Sequence, residues 1–235
     1  MTAPRAGTPA TTTPRGGWLT PVGLILLSLI PILAGAARLT ELTGSPVVTD
    51  HNARFVESPL PVIIHIVSVT VFSILGAFQF VPALRRRRNA WHRIAGRILV
   101  PAGVLTALSG MWMAVFYSHP VGDGFALSVL RVIFGSAMLV SIGLAVRAIV
   151  KRKFILHGAW MTRAYAIGMG AGTQVFTHLP WFVFVGGKPG ELPRALMMGA
   201  GWVINVCVAE WIIRSRQTRQ GAVFAPISTL TSRLP

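Results

Sequence analysis

Residues 85–97 read RRRRNAWHRIAGR, seven charged or titratable side chains set between two long apolar runs. Such a cluster can grip nucleic acid or lie against an anionic membrane, and composition decides between the two. Of 235 residues, 53% are hydrophobic and only 12% charged, whereas soluble domains carry about a quarter charged residues. That little polar surface cannot cover a water-soluble fold of this length, so lipid must cover it. The formal charge of +16 would suggest nucleic acid only if the 22 Lys and Arg shared one face of a soluble domain. Here they punctuate apolar segments, and no nucleic-acid partner is expected.

A spanning helix needs about 20 mostly apolar residues. Working outward from 85–97, six segments qualify: 18–37, 60–84, 96–117, 126–149, 160–184 and 193–213. The predicted fold is therefore all-α, a polytopic bundle of six transmembrane helices over 18–213. Residues 1–17, rich in Thr, Pro, Ala and Gly, cannot bury a core and read as a disordered tail. Residues 214–235 form a second tail. No small-residue cleavage site precedes Arg38, so the first apolar run reads as a retained helix.

The cations fix an orientation. With the N-terminus in the cytoplasm, the cytoplasmic segments hold 17 of the 22 Lys and Arg, including Arg85 to Arg88, Arg93, Arg97, Lys151 to Lys153 and Arg163. The other face holds Arg38, Arg54, Arg131, Lys188 and Arg194, with Glu41, Asp50, Glu57, Asp123 and Glu191, five of the six acids. Both termini are thus expected in the cytoplasm of a bacterial cell whose inner membrane carries the chain. The 85–97 turn rests on anionic headgroups, at about 1 kcal/mol per cation near the surface.

Topology does not account for every polar residue. WHRIAGR places His92, Arg93, Gly96 and Arg97 at near-helical spacing, and HGAWMTRAYA places His157, Trp160, Arg163 and Tyr165 at the next basic turn. His65 and Gln79 lie in the second segment, His178 in the fifth, and Asn205 and Glu210 in the sixth. These landmarks resemble the bacterial membrane-protein family of domain of unknown function 2306, over roughly His65 to Glu210. The resemblance implies a multi-pass membrane protein and brings no established activity.

Depth, at 1.5 Å per helical residue, sorts the histidines into an outer pair, His65 and His178, and an inner pair, His92 and His157. This layout is similar to that of di-haem b-type transmembrane cytochromes. Three readings follow. In the first, the paired imidazoles ligate haem b, while Arg93, Arg97 and Arg163 hold its propionates or a quinone headgroup. In the second, a non-enzymatic carrier or lipid- or proton-interacting protein uses His65, Gln79, His178 and Glu210 to line a polar path. In the third, the basic turns dock another protein or lipid. Structural roles compete with each: interfacial His92 and His157 can simply bind headgroups or carbonyls. His65, His178, Gln79 and Asn205 can be interhelical hydrogen-bond glue. Glu210 is expected to pair with Arg97 or Arg163. Cys207 is the lone cysteine, so CxxC metal sites are excluded, and no metal beyond haem iron is expected. Walker, HExxH and GxSxG signatures are absent, and soluble-enzyme catalysis has no support in the sequence.

Overall fold

The computed structural model describes residues 15–44, 46–81, 84, 89–120 and 122–223. The expected tail before residue 15, Arg85 to Arg88, and the end beyond Val223 lie outside these residues. Among the described residues there is no strand. In these residues a 3-10 turn (Arg15–Trp18) leads into α1 (Leu19–Thr43), followed by α2 (Ala53–Glu57), α3 (Pro59–Phe78), α4 (Asn89–Phe116), α5 (Phe125–Val150), α6 (Phe154–Gly168), α7 (Gly170–Phe184) and α8 (Glu191–Val223). Helices α1, α3, α4, α5 and α8 each contain a stretch long and apolar enough to cross a membrane. In hydrocarbon an unpaired backbone group has no water to bond, and helix satisfies each one within its own segment.

The structure departs from the sequence expectation in three places. The segment 160–184 is not one helix but α6 and α7, 15 residues each, meeting at Met169. Each is about 22 Å long, short of a hydrocarbon core of about 30 Å. Secondly, α4 begins at Asn89, so WHRIAGR forms its opening turns rather than a loop. Thirdly, α8 runs on to Val223, past the apolar run that ends near residue 213. Long Arg side chains carry their charge outward while their stems stay apolar, so a helix need not stop where its composition turns polar.

The break at Met169 lies in AIGMGAG. Glycine costs a helix interior about 1 kcal/mol relative to alanine, and what these three glycines provide is room. A Cβ on Gly168 would lie 2.8 Å from the Phe72 ring, one on Gly170 2.3 Å from Trp202, and one on Gly172 2.3 Å from the carbonyl oxygen of Leu27.

Helix α6 is central: it packs on α3, α4, α5 and α8, while α7 packs on α8 and α1. The core gathers Phe72, Met138, Ile142, Ala164, Tyr165 and Ile167. The Tyr165 hydroxyl donates to Ser73 O at 2.7 Å, and its ring meets Phe72 and Phe80 at centroid distances of 5.7 and 5.3 Å. Large apolar side chains such as Phe184 and Trp211 remain 85% and 70% exposed, far more than a water-facing surface tolerates as a contiguous band. Such exposure is compatible with a lipid bilayer around the helices.

A Cβ on Gly76 would fall 2.2 Å from Tyr165 Cε2, whereas one on Gly143 meets nothing within 4 Å. Gly76→Ala should therefore lower stability by about 1–3 kcal/mol, the cost of overpacking. Gly143→Ala should be neutral or stabilising by up to about 1 kcal/mol. Thermal unfolding in detergent, followed by far-UV circular dichroism, checks both.

Candidate functional site

Two polar constellations stand out, the first of them on the face where α3 ends and α4 begins, the basic face. In the first, Arg163 of α6 meets Glu210 of α8 with Nε 2.5 Å from Oε1 and Nη2 3.0 Å from Oε2. This fork-to-fork contact is the strong form of a charged hydrogen bond. The guanidinium also lies 4.4 Å over the Trp160 ring, one helical turn earlier. Of the two partners expected for Glu210, Arg163 is the one found. Arg93 and Arg97 lie exposed on α4, in no ion pair among the described residues. His157 turns its Nδ1 to the carbonyl of Ala145 on α5, 3.0 Å away. His92 lies half-buried near the start of α4.

The second constellation spans the break. Asn205 Nδ2 donates to Ala166 O in the last turn of α6 at 3.0 Å, and Thr173 Oγ1 in α7 donates to Asn205 Oδ1 at 2.6 Å. One amide on α8 thereby splints both halves of the interrupted helix. Gln174 and Thr177 extend the seam by donating to the carbonyls of Met198 and Met197. Gln79 stands apart. It caps α3, and both of its amide atoms are buried with no hydrogen-bond partner among the described residues, a cost of about 1–3 kcal/mol for each orphaned group.

Nearer the opposite face, His65 of α3 holds Nδ1 3.1 Å from both Thr106 O and Ser109 Oγ on α4. Ser109 Oγ commits its own proton to Leu105 O at 2.6 Å, so both neighbours of Nδ1 act as acceptors. The imidazole proton therefore sits on Nδ1, and a neutral ring keeps an accepting lone pair on Nε2. His65 also lines a crevice of about 220 Å³ between α1, α3 and the α6–α7 break. Its other walls include Ser28 and Gly35 of α1, Thr70 and Ser73 of α3, and Gly172 of α7. The lining is mostly apolar, and its polar groups are hydroxyls and one imidazole.

Residues 62–213 match the family model described as a predicted membrane protein, DUF2306. The chain belongs to that family. No curated protein and no solved structure matches it. Within this DUF2306 chain the matched stretch holds His65, the Met169 break, the Asn205 splint and the Arg163–Glu210 pair, while α1 and α2 precede it.

The outer histidine pair expected for haem does not come together as ligation would need, and of the inner pair His157 commits Nδ1 to the Ala145 carbonyl. His65 bonds across to α4, whereas His178 bonds Gln174 O within its own helix, at 2.7 Å, and stacks on Phe182. The part of the fifth segment that carries His178 is α7, whose extended packing is on α8 and α1, not α3. Among the described residues no group of three or more His, Cys, Asp or Glu is placed to hold a metal ion. Haem b has no support here, and no cofactor is indicated.

Sequence reasoning missed a cluster on the opposite face. Asp123, 7% exposed, is clamped by Arg131 of α5 at 2.8 Å and Arg194 of α8 at 2.5 Å. Arg38 pairs with Glu41, and Glu41 accepts from Asn52 Nδ2 at 2.7 Å. The Tyr117 hydroxyl donates to Ser58 O at 2.5 Å, tying α4 to the start of α3. The available signal was the presence of arginines on the face that the positive-inside rule depletes.

The Arg163–Glu210 pair is about a quarter exposed on each side, enough for screening to weaken it but not to remove it. Glu210→Gln should cost about 1–3 kcal/mol, the range for a hydrogen bond to a charged group, while Glu57→Gln, on an exposed site of α2, should cost nothing measurable. A double-mutant cycle with Arg163→Gln in chemical unfolding should return a coupling of the same sign.

Proposed function

We propose that this DUF2306 chain is a non-enzymatic, lipid-interacting membrane protein whose crevice between α1, α3 and the α6–α7 break takes an apolar chain. The observation that carries the reading is the crevice itself: a cavity of about 220 Å³ with chiefly apolar walls, open between helices and edged by Nε2-accepting His65. Water gains little in such a space, because a buried water needs two to four polar partners. An acyl or isoprenoid chain of the surrounding bilayer fills it without leaving apolar surroundings, and gains dispersion contacts with walls that would otherwise face a void. Helix α1 is its outer wall, with only Pro21 and Ser28 along its 25 residues buried.

In this reading α6 and α7 together make a sixth crossing, so both termini lie on the basic face. The division of cations, 17 to 5, supports placing that face in the cytoplasm of a bacterium, with the chain in its inner membrane. His178, Asn205 and Glu210 then serve as packing and hydrogen-bonding groups rather than as a continuous path, since each partner is a backbone or a neighbouring helix, and Gln79 is a buried cap of α3.

Two measurements test the reading. Topology reporters fused after Lys153 and after Arg214 should read cytoplasmic, and those at Asp50 and Asp123 should read the other side. In native mass spectrometry the chain should retain a co-purified lipid. Val69→Trp, which fills the crevice from α3, should weaken retention at least tenfold, about 1.4 kcal/mol, while Val140→Trp on the exposed face of α5 leaves it unchanged.

A further inference from the structure

Toward the face opposite the basic turns, α1 leads from the crevice to a group of arginines, one of which has no ion-pair partner among the described residues. Gly35 and His65 line the crevice near that end, and Arg38 follows Gly35 on α1 by one helical turn, about 4.5 Å of rise. Above them, Arg38 and Arg54 both place their guanidinium carbons over the ring of Phe55, at 4.6 and 4.4 Å. Phe55 is held in turn edge-on against Tyr117, with ring centroids 5.5 Å apart. Asn52 fixes the approach to α2, since its side chain accepts from Thr49 N and donates to Glu41 and to Val47 O.

Four guanidiniums gather here, those of Arg38, Arg54, Arg131 and Arg194, against two engaged carboxylates. Glu41 serves Arg38, and Asp123 serves both Arg131 and Arg194. Arg54 is left without an ion-pair partner among the described residues, and Glu57, one turn along α2, makes no ion pair with it. Its charge is also unfavourably placed. Burial holds the Arg54 guanidinium below its ordinary pKa, Asp123 opposes that, and Arg38 and Arg131 add to it. Arginine does not give up its proton in this range. The physical content is therefore a cation partly stripped of water and crowded by like charges, which an anion would relieve. Solubility or topology would not place it there, since the positive-inside rule depletes this face of cations.

We infer that Arg54, flanked by Arg38 and Arg131, binds the phosphate or carboxylate head of a single amphiphile whose apolar chain lies in the crevice between α1 and α3. The planar fork of arginine suits a bidentate contact to either oxyanion. The accepting Nε2 of His65, one layer deeper, suits a free glycerol hydroxyl that donates to it next to the head rather than the head itself, because a lone pair repels an anion. This inference rests on the crevice reading above and adds the chemistry of the head.

The test measures binding of three probes to the purified full chain in a neutral detergent: oleoyl lysophosphatidic acid, monooleoylglycerol and inorganic phosphate. The expected result is lysophosphatidic acid binding at least tenfold tighter than monooleoylglycerol, with inorganic phosphate alone giving no saturable binding. Arg54→Gln should abolish the preference by weakening lysophosphatidic acid alone. Arg54→Lys should restore part of it, and Arg147→Gln, exposed at the far end of α5, should change nothing. Thermal midpoints of the variants establish that each is folded, and Arg131→Gln offers a second probe should Arg54→Gln fail. Equal binding of the two lipids by the wild type would overturn the headgroup site while leaving the crevice intact. Binding of neither lipid would overturn the crevice reading as well. Saturable phosphate binding as tight as that of the lysolipid would overturn the amphiphile and point to a free ion.

Discussion

Close backbone approach at glycine is the constraint on which the rest of this bundle depends. Between helices in lipid there is no hydrophobic gain to be had from contact, because the alternative neighbour is as apolar as leucine. Contact must come from dispersion at short range and from hydrogen bonds. Gly172 places its backbone so near Leu27 that a Cβ would meet a carbonyl oxygen at 2.3 Å, and Gly76 accepts the Tyr165 ring in the same manner. Where such contacts cluster, around Met169, the helix is interrupted, and Asn205 supplies hydrogen bonds to both sides of the interruption. The crevice is what the break leaves on the side of α1.

The two faces of the bundle use arginine differently. On the basic face Arg93 and Arg97 are exposed and in no ion pair among the described residues, while Arg163 is committed to Glu210. On the other face the acids are embedded and the arginines arranged around them, with Asp123 at the centre. A buried carboxylate held by two guanidiniums is costly to assemble and costly to disturb, so it fixes the ends of α5 and α8 relative to each other. Arg54 is the exception in that arrangement, stacked on Phe55 and in no ion pair among the described residues.

Much of this was legible from composition and spacing. The all-α class, the apolar segments and the sidedness of the cations follow from how few charges the chain has and where they fall. The pairing of Glu210 was legible too, because a lone acid at a hydrocarbon edge must find a cation. What hydropathy could not show was the interruption at Met169, since AIGMGAG is apolar throughout and its glycines act through distant partners: Phe72, Trp202 and Leu27. Equally hidden was the orientation of His65. Depth placed it beside His178, but azimuth around α3 turns it to Thr106 and Ser109, and depth alone carries no azimuth. The cluster around Asp123 joins the α4–α5 connection, α5 and α8, and no local pattern announces it.

The most direct measurement is an experimental structure of the full chain in nanodiscs containing anionic phospholipid. Elongated density lying between α1 and α3, beside Val69 and Gly172, with its head within hydrogen-bonding reach of Arg54, is the expected result. A bundle in which α1 closes directly onto α3 and α7, leaving no crevice and no ordered lipid at Arg54, would contradict it.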